Sequence, residues 1–174
     1  MTSPQPQSQS VSFFVPGLPQ PGGSKRGFYI QKLKRVVLTE DNKRSKDWRA
    51  SVAHEASFAI AAPFTGPLLV TFTFFMPRPK GHFNSRGLVR PAAPKFPACK
   101  PDVTKLIRST EDALKAIAWL DDSQIVAQIG MKYYADAQQK PGCQITIEPA
   151  RREWRLGKGD ILPETKQNTG EMIR

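Results

Sequence analysis

Hydrophobic and polar positions alternate most clearly over residues 68–76, with Val70, Phe72, Phe74 and Met76 on one side and Thr71, Thr73 and Phe75 on the other. Successive side chains of a strand point to opposite faces, so this pattern predicts a β-strand, and apolar character on both sides predicts a central place in a sheet. A shorter alternation of Val11, Phe13 and Val15 with Ser12 and Phe14, halted by Pro16 and Gly17, predicts a first strand. Trp48, Val52, Ala56, Ala59 and Ile60 keep helical spacing, which predicts a helix over residues 46–62 with Pro63 at its end. A second helix is expected to start after Pro101-Asp102, because Val103, Leu106, Ile107, Thr110, Leu114 and Ile117 recur at that period. Thr104, Arg108, Glu111 and Lys115 then share its opposite, polar face.

Beyond that helix, Ile125, Ala127, Ile129, Met131 and Tyr133 alternate with Gln128, Gly130 and Lys132, which predicts a strand with Asp122 on the side of Lys132. A turn at Lys140-Pro141-Gly142 leads to a last strand over residues 144–148 with Ile145 and Ile147 inward. Residues 19–46 and 77–101 are expected to be mostly loop, the second too rich in proline, glycine and basic residues for regular structure. The order strand, helix, strand, helix, strand, strand predicts an α+β fold: a small mixed or antiparallel sheet with two helices packed on one face.

Composition narrows the class. The 174 residues suffice for one domain, expected over residues 11–150, and 39% hydrophobic residues supply its core. A Ser, Gln and Pro-rich tail over 1–10 and a basic tail over 151–174 are expected to flank it, both flexible. No apolar run has the length of a membrane span, and the start of the chain lacks the pattern of a signal peptide, so the sequence reads as cytoplasmic with no membrane partner. Cys99 and Cys143, the only cysteines, give no disulfide framework and too few ligands for a structural zinc site.

A formal net charge of +11 changes the picture by pointing to a polyanionic partner. The cations crowd two segments. Lys25, Arg26, Lys34 and Arg35 belong to the first, and Lys80, Arg86 and Lys100, followed by Lys105, to the second, so these eight are the candidate DNA contacts. Charge of this kind is also common in proteins that bind no nucleic acid.

For chemistry the acids are the best supplied group. Neither His54 nor His82 comes with a Ser or Cys in nucleophile context. Gly22-Gly23-Ser24-Lys25 is a weak match to a phosphate loop, so no nucleotide cofactor is expected. Carboxylates gathered from the start of a helix (Asp102) and the start of a strand (Asp121, Asp122) are what a Mg²⁺ site requires, with Mn²⁺ as a substitute. The same residues have structural readings. Asp102 suits a helix N-cap, Asp121-Asp122-Ser123 suits a turn, and Arg108 and Lys132 suit a solvated surface.

The run Lys100-Pro101-Asp102-Val103-Thr104-Lys105-Leu106-Ile107-Arg108, continued by Asp112-Ala113-Leu114, Asp121-Asp122-Ser123-Gln124-Ile125 and Lys132, resembles the signature of the RusA family of Holliday junction resolvases. That signature reads Pro-Asp-x-Asp-Asn-Leu-x-Lys, then Asp-Ala-Leu, then Asp-Asp-x-Gln-Val and a later Lys. The resemblance implies a RusA-like fold and a homodimeric, Mg²⁺-dependent endodeoxyribonuclease that resolves four-way DNA junctions by paired nicks, in recombination, repair or phage DNA processing. It implies a bacterial or phage-infected cell as the setting. It further implies Asp102, Asp122, Arg108 and Lys132 as catalytic, with Asp102, Asp122, Thr104 and Asp121 at the metal. Two departures stand out: Arg108 replaces the family lysine, and Thr104 falls where the family has a second aspartate. Either the threonine hydroxyl ligates the ion, or Asp121 or Glu111 substitutes, or the site is weakened. In the last case the protein is a noncatalytic branched-DNA binder. A basic scaffold for protein partners is the third alternative.

Overall fold

The computed structural model describes residues 9–22, 25–40, 42 and 44–150. The expected tails, residues 9 and 10 apart, lie outside the described residues. Eight main elements follow one another: β1 (Val11–Pro16), β2 (Lys25–Ile30), β3 (Arg35–Glu40), α1 (Arg44–Ala59), β4 (Leu68–Met76), α2 (Val103–Leu114), β5 (Ile125–Tyr134) and β6 (Gly142–Pro149).

The α+β class expected from the pattern holds. A mixed sheet runs in the order β1-β6-β4-β5. Only β4 and β5 are parallel, and α2 is the crossover between them; the other pairs are antiparallel. β4 is interior, as its two-sided apolar sequence requires. Its side chains Val70, Phe72 and Phe74 are fully buried together with Val15, Cys143, Ile145 and Ile147 of the flanking strands. Against that face pack Trp48, Val52 and Ala56 of α1 and Leu106, Ile107 and Leu114 of α2. The helices interlock where Trp48 Nε1 donates to Thr110 Oγ1 at 3.2 Å and Thr110 Oγ1 donates back to the Leu106 carbonyl at 2.9 Å. α1 ends at Ala59, three residues earlier than expected, and Ile60 still donates its N–H to the Ala56 carbonyl.

Residues 19–46 are not mostly loop. They contain an antiparallel hairpin, β2 with β3, in the register Lys25↔Glu40 to Ile30↔Arg35. Basic residues mask its strands in the sequence, and its turn over Gln31–Leu33 has no glycine. Lys34 supplies the left-handed residue that closes it, at φ 46°.

The faces of β5 also differ from a simple apolar-inward rule. Its register sets Gln128, Gly130 and Lys132 beside Val70, Phe72 and Phe74, so the polar side of β5 looks toward the helices. Gly130 explains this. A side chain there would collide with Ile107 and Val103, so α2 lies almost on the strand backbone. The opposite face carries a row of rings from Phe14 through Phe75 and Tyr133 to Phe96.

The 77–101 segment is irregular but tied down. Asn84 Oδ1 accepts from the N–H groups of Arg86 and Leu88, and Arg78 donates to the Pro94 carbonyl at 3.0 Å while lying over the Tyr134 ring.

Candidate active site and nucleic-acid surface

The two acids singled out by the sequence are held in different ways at different ends of α2. At its C-terminal end, Trp119 is fully buried and donates its indole N–H to Asp122 Oδ1 at 3.0 Å. Lys115 Nζ lies 3.1 Å from the other oxygen, Oδ2. Hydrogen bonding to that carboxylate raises the Lys115 pKa. Asp122 is thus aimed by two donors while remaining half exposed.

Its neighbours in the Asp-Asp-x-Gln run do structural work. Asp121 Oδ1 accepts the Ser123 N–H at 2.8 Å, capping a short 3-10 turn, and these hydrogen bonds lower its pKa. Gln124 completes the capping box by accepting the Asp121 N–H and spends its amide on the carbonyls of Phe64 and Gly66. The turn expected of this run is present; Asp121 caps it, while the Asp122 side chain is turned to Trp119 and Lys115.

Asp102 occupies the N-cap position of α2 but its side chain makes no cap hydrogen bond. A capping aspartate contributes about 1 kcal/mol, and this one leaves that contribution unused. Its carboxylate instead stays exposed, 3.6 Å from Lys105 Nζ. It sits with Lys100, Lys105 and Met76 at a cleft of about 410 Å³ whose other wall is Leu18 to Pro21. The segment leading into it is pinned by Lys132, whose ammonium donates to the carbonyls of Cys99 at 2.7 Å and Pro101 at 2.9 Å. Lys132 is thereby occupied in shaping the approach to Asp102. Thr104 and Arg108 are exposed on the same helix.

Along a 12-residue helix the rise is about 18 Å, so Asp102 at one end and Asp122, bound to Lys115 at the other, are far beyond a shared coordination shell. Among the described residues, no three of His, Cys, Asp and Glu come close enough to hold a metal ion. One chain therefore does not assemble the expected set of Asp102, Asp122, Thr104 and Asp121. Sequence spacing could not reveal this, because it gives the order of the acids and not the direction in which α2 and β5 run past each other.

Glu111 lies nearer Asp122 than Asp102. It is half-buried, with its carboxylate accepting from Gln128 Nε2 at 2.6 Å. Burial raises its pKa most, and the charges of Asp122 and Asp112 add to the rise. Trp119, Lys115 and Gln124 shape the site, a role the sequence pattern did not assign to them. A tryptophan three residues before an aspartate was the available signal.

Of the candidate DNA contacts, Lys34 and Arg35 are exposed at the end of the hairpin, and Lys80, Arg86, Lys100 and Lys105 are exposed on the loop and α2. The side chains of Lys25 and Arg26 lie outside the described residues. No described helix is long and apolar enough to cross a membrane.

The β4-α2-β5 crossover thus carries Asp102 at the start of α2 and Asp122 beyond its C-terminal end, beside exposed cations. Residues 18–148 match the family described as endodeoxyribonuclease RusA. The chain belongs to that family. It is also similar to the uncharacterized protein YqaN of Bacillus subtilis (strain 168), with 32% identity over 135 residues that span 72% of this chain and 89% of that one.

Proposed function

We propose that this protein is a divalent-metal-dependent endodeoxyribonuclease that resolves four-way DNA junctions by paired phosphodiester hydrolysis, acting as a homodimer in a bacterial or phage-infected cell. The observation that carries this reading is the pair of motif acids in a member of the RusA family. Asp102 forgoes its cap and stands open among Lys100 and Lys105, and Asp122 is aimed by Trp119 and Lys115.

Because one chain separates these acids by the length of α2, the proposed metal site is completed by a second copy. Asp102 of one protomer meets Asp122 of its partner, and a two-fold axis generates two such sites, one for each strand to be nicked. Mg²⁺, or Mn²⁺ in its place, would supply a polarising charge and an activated water. The chain's own residues do the rest. Lys132 fixes the backbone ahead of Asp102, Trp119 and Lys115 orient Asp122, and Arg108, Lys100 and Lys105 offer positive charge to the scissile phosphate.

A second reading, a noncatalytic branched-DNA binder, is favoured by one observation: Thr104 stands where the family has an aspartate. Cleavage of a labelled four-way junction and of the matching linear duplex, with and without Mg²⁺, separates the two. Metal-dependent symmetric nicks on the junction, absent in Asp102→Asn, are expected. Tight junction binding without cleavage in Mg²⁺ or Mn²⁺ replaces the first reading by the second.

A further inference from the structure

The β2–β3 hairpin is the element whose composition the nuclease chemistry leaves unused. Between Lys25 and Val36 the sequence has five cations and no acid. Yet the same stretch exposes large apolar groups: Tyr29 is 62% exposed, Val36 59% and Leu33 54%. Tyr29 and Val36 are direct cross-strand partners, so they form one apolar patch on one face of the ribbon. Leu33 is in the turn, between Lys32 and Lys34.

The hairpin is rooted beside the candidate site. Gly22, just before β2, donates its N–H to the Lys105 carbonyl at 3.0 Å. Asn42, just after β3, donates to Gln20 and to the Pro21 carbonyl. Gln20, Pro21 and Asn42 line the cleft that holds Asp102. From that root a six-residue strand reaches about 20 Å. DNA that extends about 20 Å or more from Asp102 along the hairpin can therefore meet its turn.

Cations alone would serve a ribbon that only tracks phosphates. Exposed apolar groups set among cations instead suit a nucleic acid whose bases are unstacked, where rings and aliphatic wedges meet the flat faces that a continuous duplex hides. We propose that the β2–β3 hairpin reads the branch point: Tyr29 and Leu33 pack on unstacked bases at the centre of branched DNA, while Lys32, Lys34 and Arg35 hold the flanking phosphates. This rests on the junction-nuclease reading and gives that site its preference for branched over linear substrate.

The test uses full-length protein in metal-free buffer, a four-way junction carrying 2-aminopurine beside the crossover, and the linear duplex of the same sequence. Wild-type protein should raise the 2-aminopurine fluorescence. The double variant Tyr29→Ala/Leu33→Ala should bind the linear duplex as before, lose the fluorescence rise, and lose about tenfold or more of its preference for the junction, the weight of a stacked base. The triple variant Lys32→Ala/Lys34→Ala/Arg35→Ala should weaken binding to both DNAs alike and lower the salt slope by about 3. Circular dichroism and thermal melts confirm folding of each variant, and sedimentation gives its oligomeric state. The proposal is overturned if the double variant keeps both the fluorescence rise and the preference, or if its defect is loss of self-association, which would make the hairpin a protein contact. A wild type that shows no preference for the junction and does not cut it once Mg²⁺ or Mn²⁺ is added would instead sink the nuclease reading itself.

Discussion

Trp119 donates its indole N–H to Asp122 Oδ1 at 3.0 Å from a fully buried position. A core residue thus reaches out to aim an exposed acid, and the link is open to a conservative test. Trp119→Phe keeps an aromatic ring but removes the donor. Stability should fall by about 1 kcal/mol for the hydrogen bond, plus a cavity cost for the smaller ring. Junction cleavage should fall roughly 10- to 100-fold, the usual effect of losing a group that orients a metal ligand. Urea unfolding and single-turnover cleavage measure the two separately. Unchanged cleavage in a destabilised variant would show that Asp122 needs no such aim.

Lys132 gives a different signature. Two of its N–H groups are committed to the carbonyls of Cys99 and Pro101, so Lys132→Met should loosen the approach to Asp102 at a cost of about 1.5–3 kcal/mol. Amide exchange over residues 95–102 should quicken, and the Mg²⁺ concentration for half-maximal cleavage should rise. A drop in rate at saturating Mg²⁺ with unaltered exchange would assign the ammonium to the phosphate instead.

Glu111 sets a pH dependence. Its raised pKa means the folded protein binds its proton more tightly than the unfolded chain does. Its contribution to stability is therefore greatest below its ordinary value of about 4.5 and declines as pH climbs through the raised folded value. Glu111→Gln keeps an acceptor for Gln128 and removes the titration. The variant should be at least as stable as wild type at neutral pH, with the difference shrinking toward acid. Urea midpoints between pH 4 and 8 check this, and a variant weaker at pH 7 contradicts it.

Thr104 is exposed in the first turn of α2, where an added carboxylate meets a favourable helix dipole worth about 0.3–1 kcal/mol. Thr104→Asp restores the family residue and should lower the Mg²⁺ needed for half-maximal cleavage. If binding and cutting stay as they were, the missing carboxylate is not limiting.

Much of the framework was legible in the sequence. The span of β4 follows from its alternation, and the start of α2 from Pro101-Asp102 and the period after it. The hairpin was hidden because lysines and arginines crowd the ends of its short apolar runs and its turn, and Lys34, not glycine, takes the left-handed position. The faces of β5 were hidden because a glycine looks neutral in a pattern, while its real effect is to let Ile107 and Val103 lie against the backbone. At the site, residue types marked Asp102 and Asp122 as important. Which aspartate caps and which stays free, and how far apart they stand, depend on hydrogen bonds and element directions that spacing does not encode.

The most direct test of a shared site is complementation between two inactive variants. Asp102→Asn and Asp122→Asn, each alone, should fail to cut a labelled four-way junction in Mg²⁺. In the mixed dimer, one site loses both acids and the other recovers both, so the mixture should regain nicking, one strand per dimer. Silence of a mixture shown to form heterodimers, beside a wild type that cuts, would contradict the shared site and return both acids to one chain.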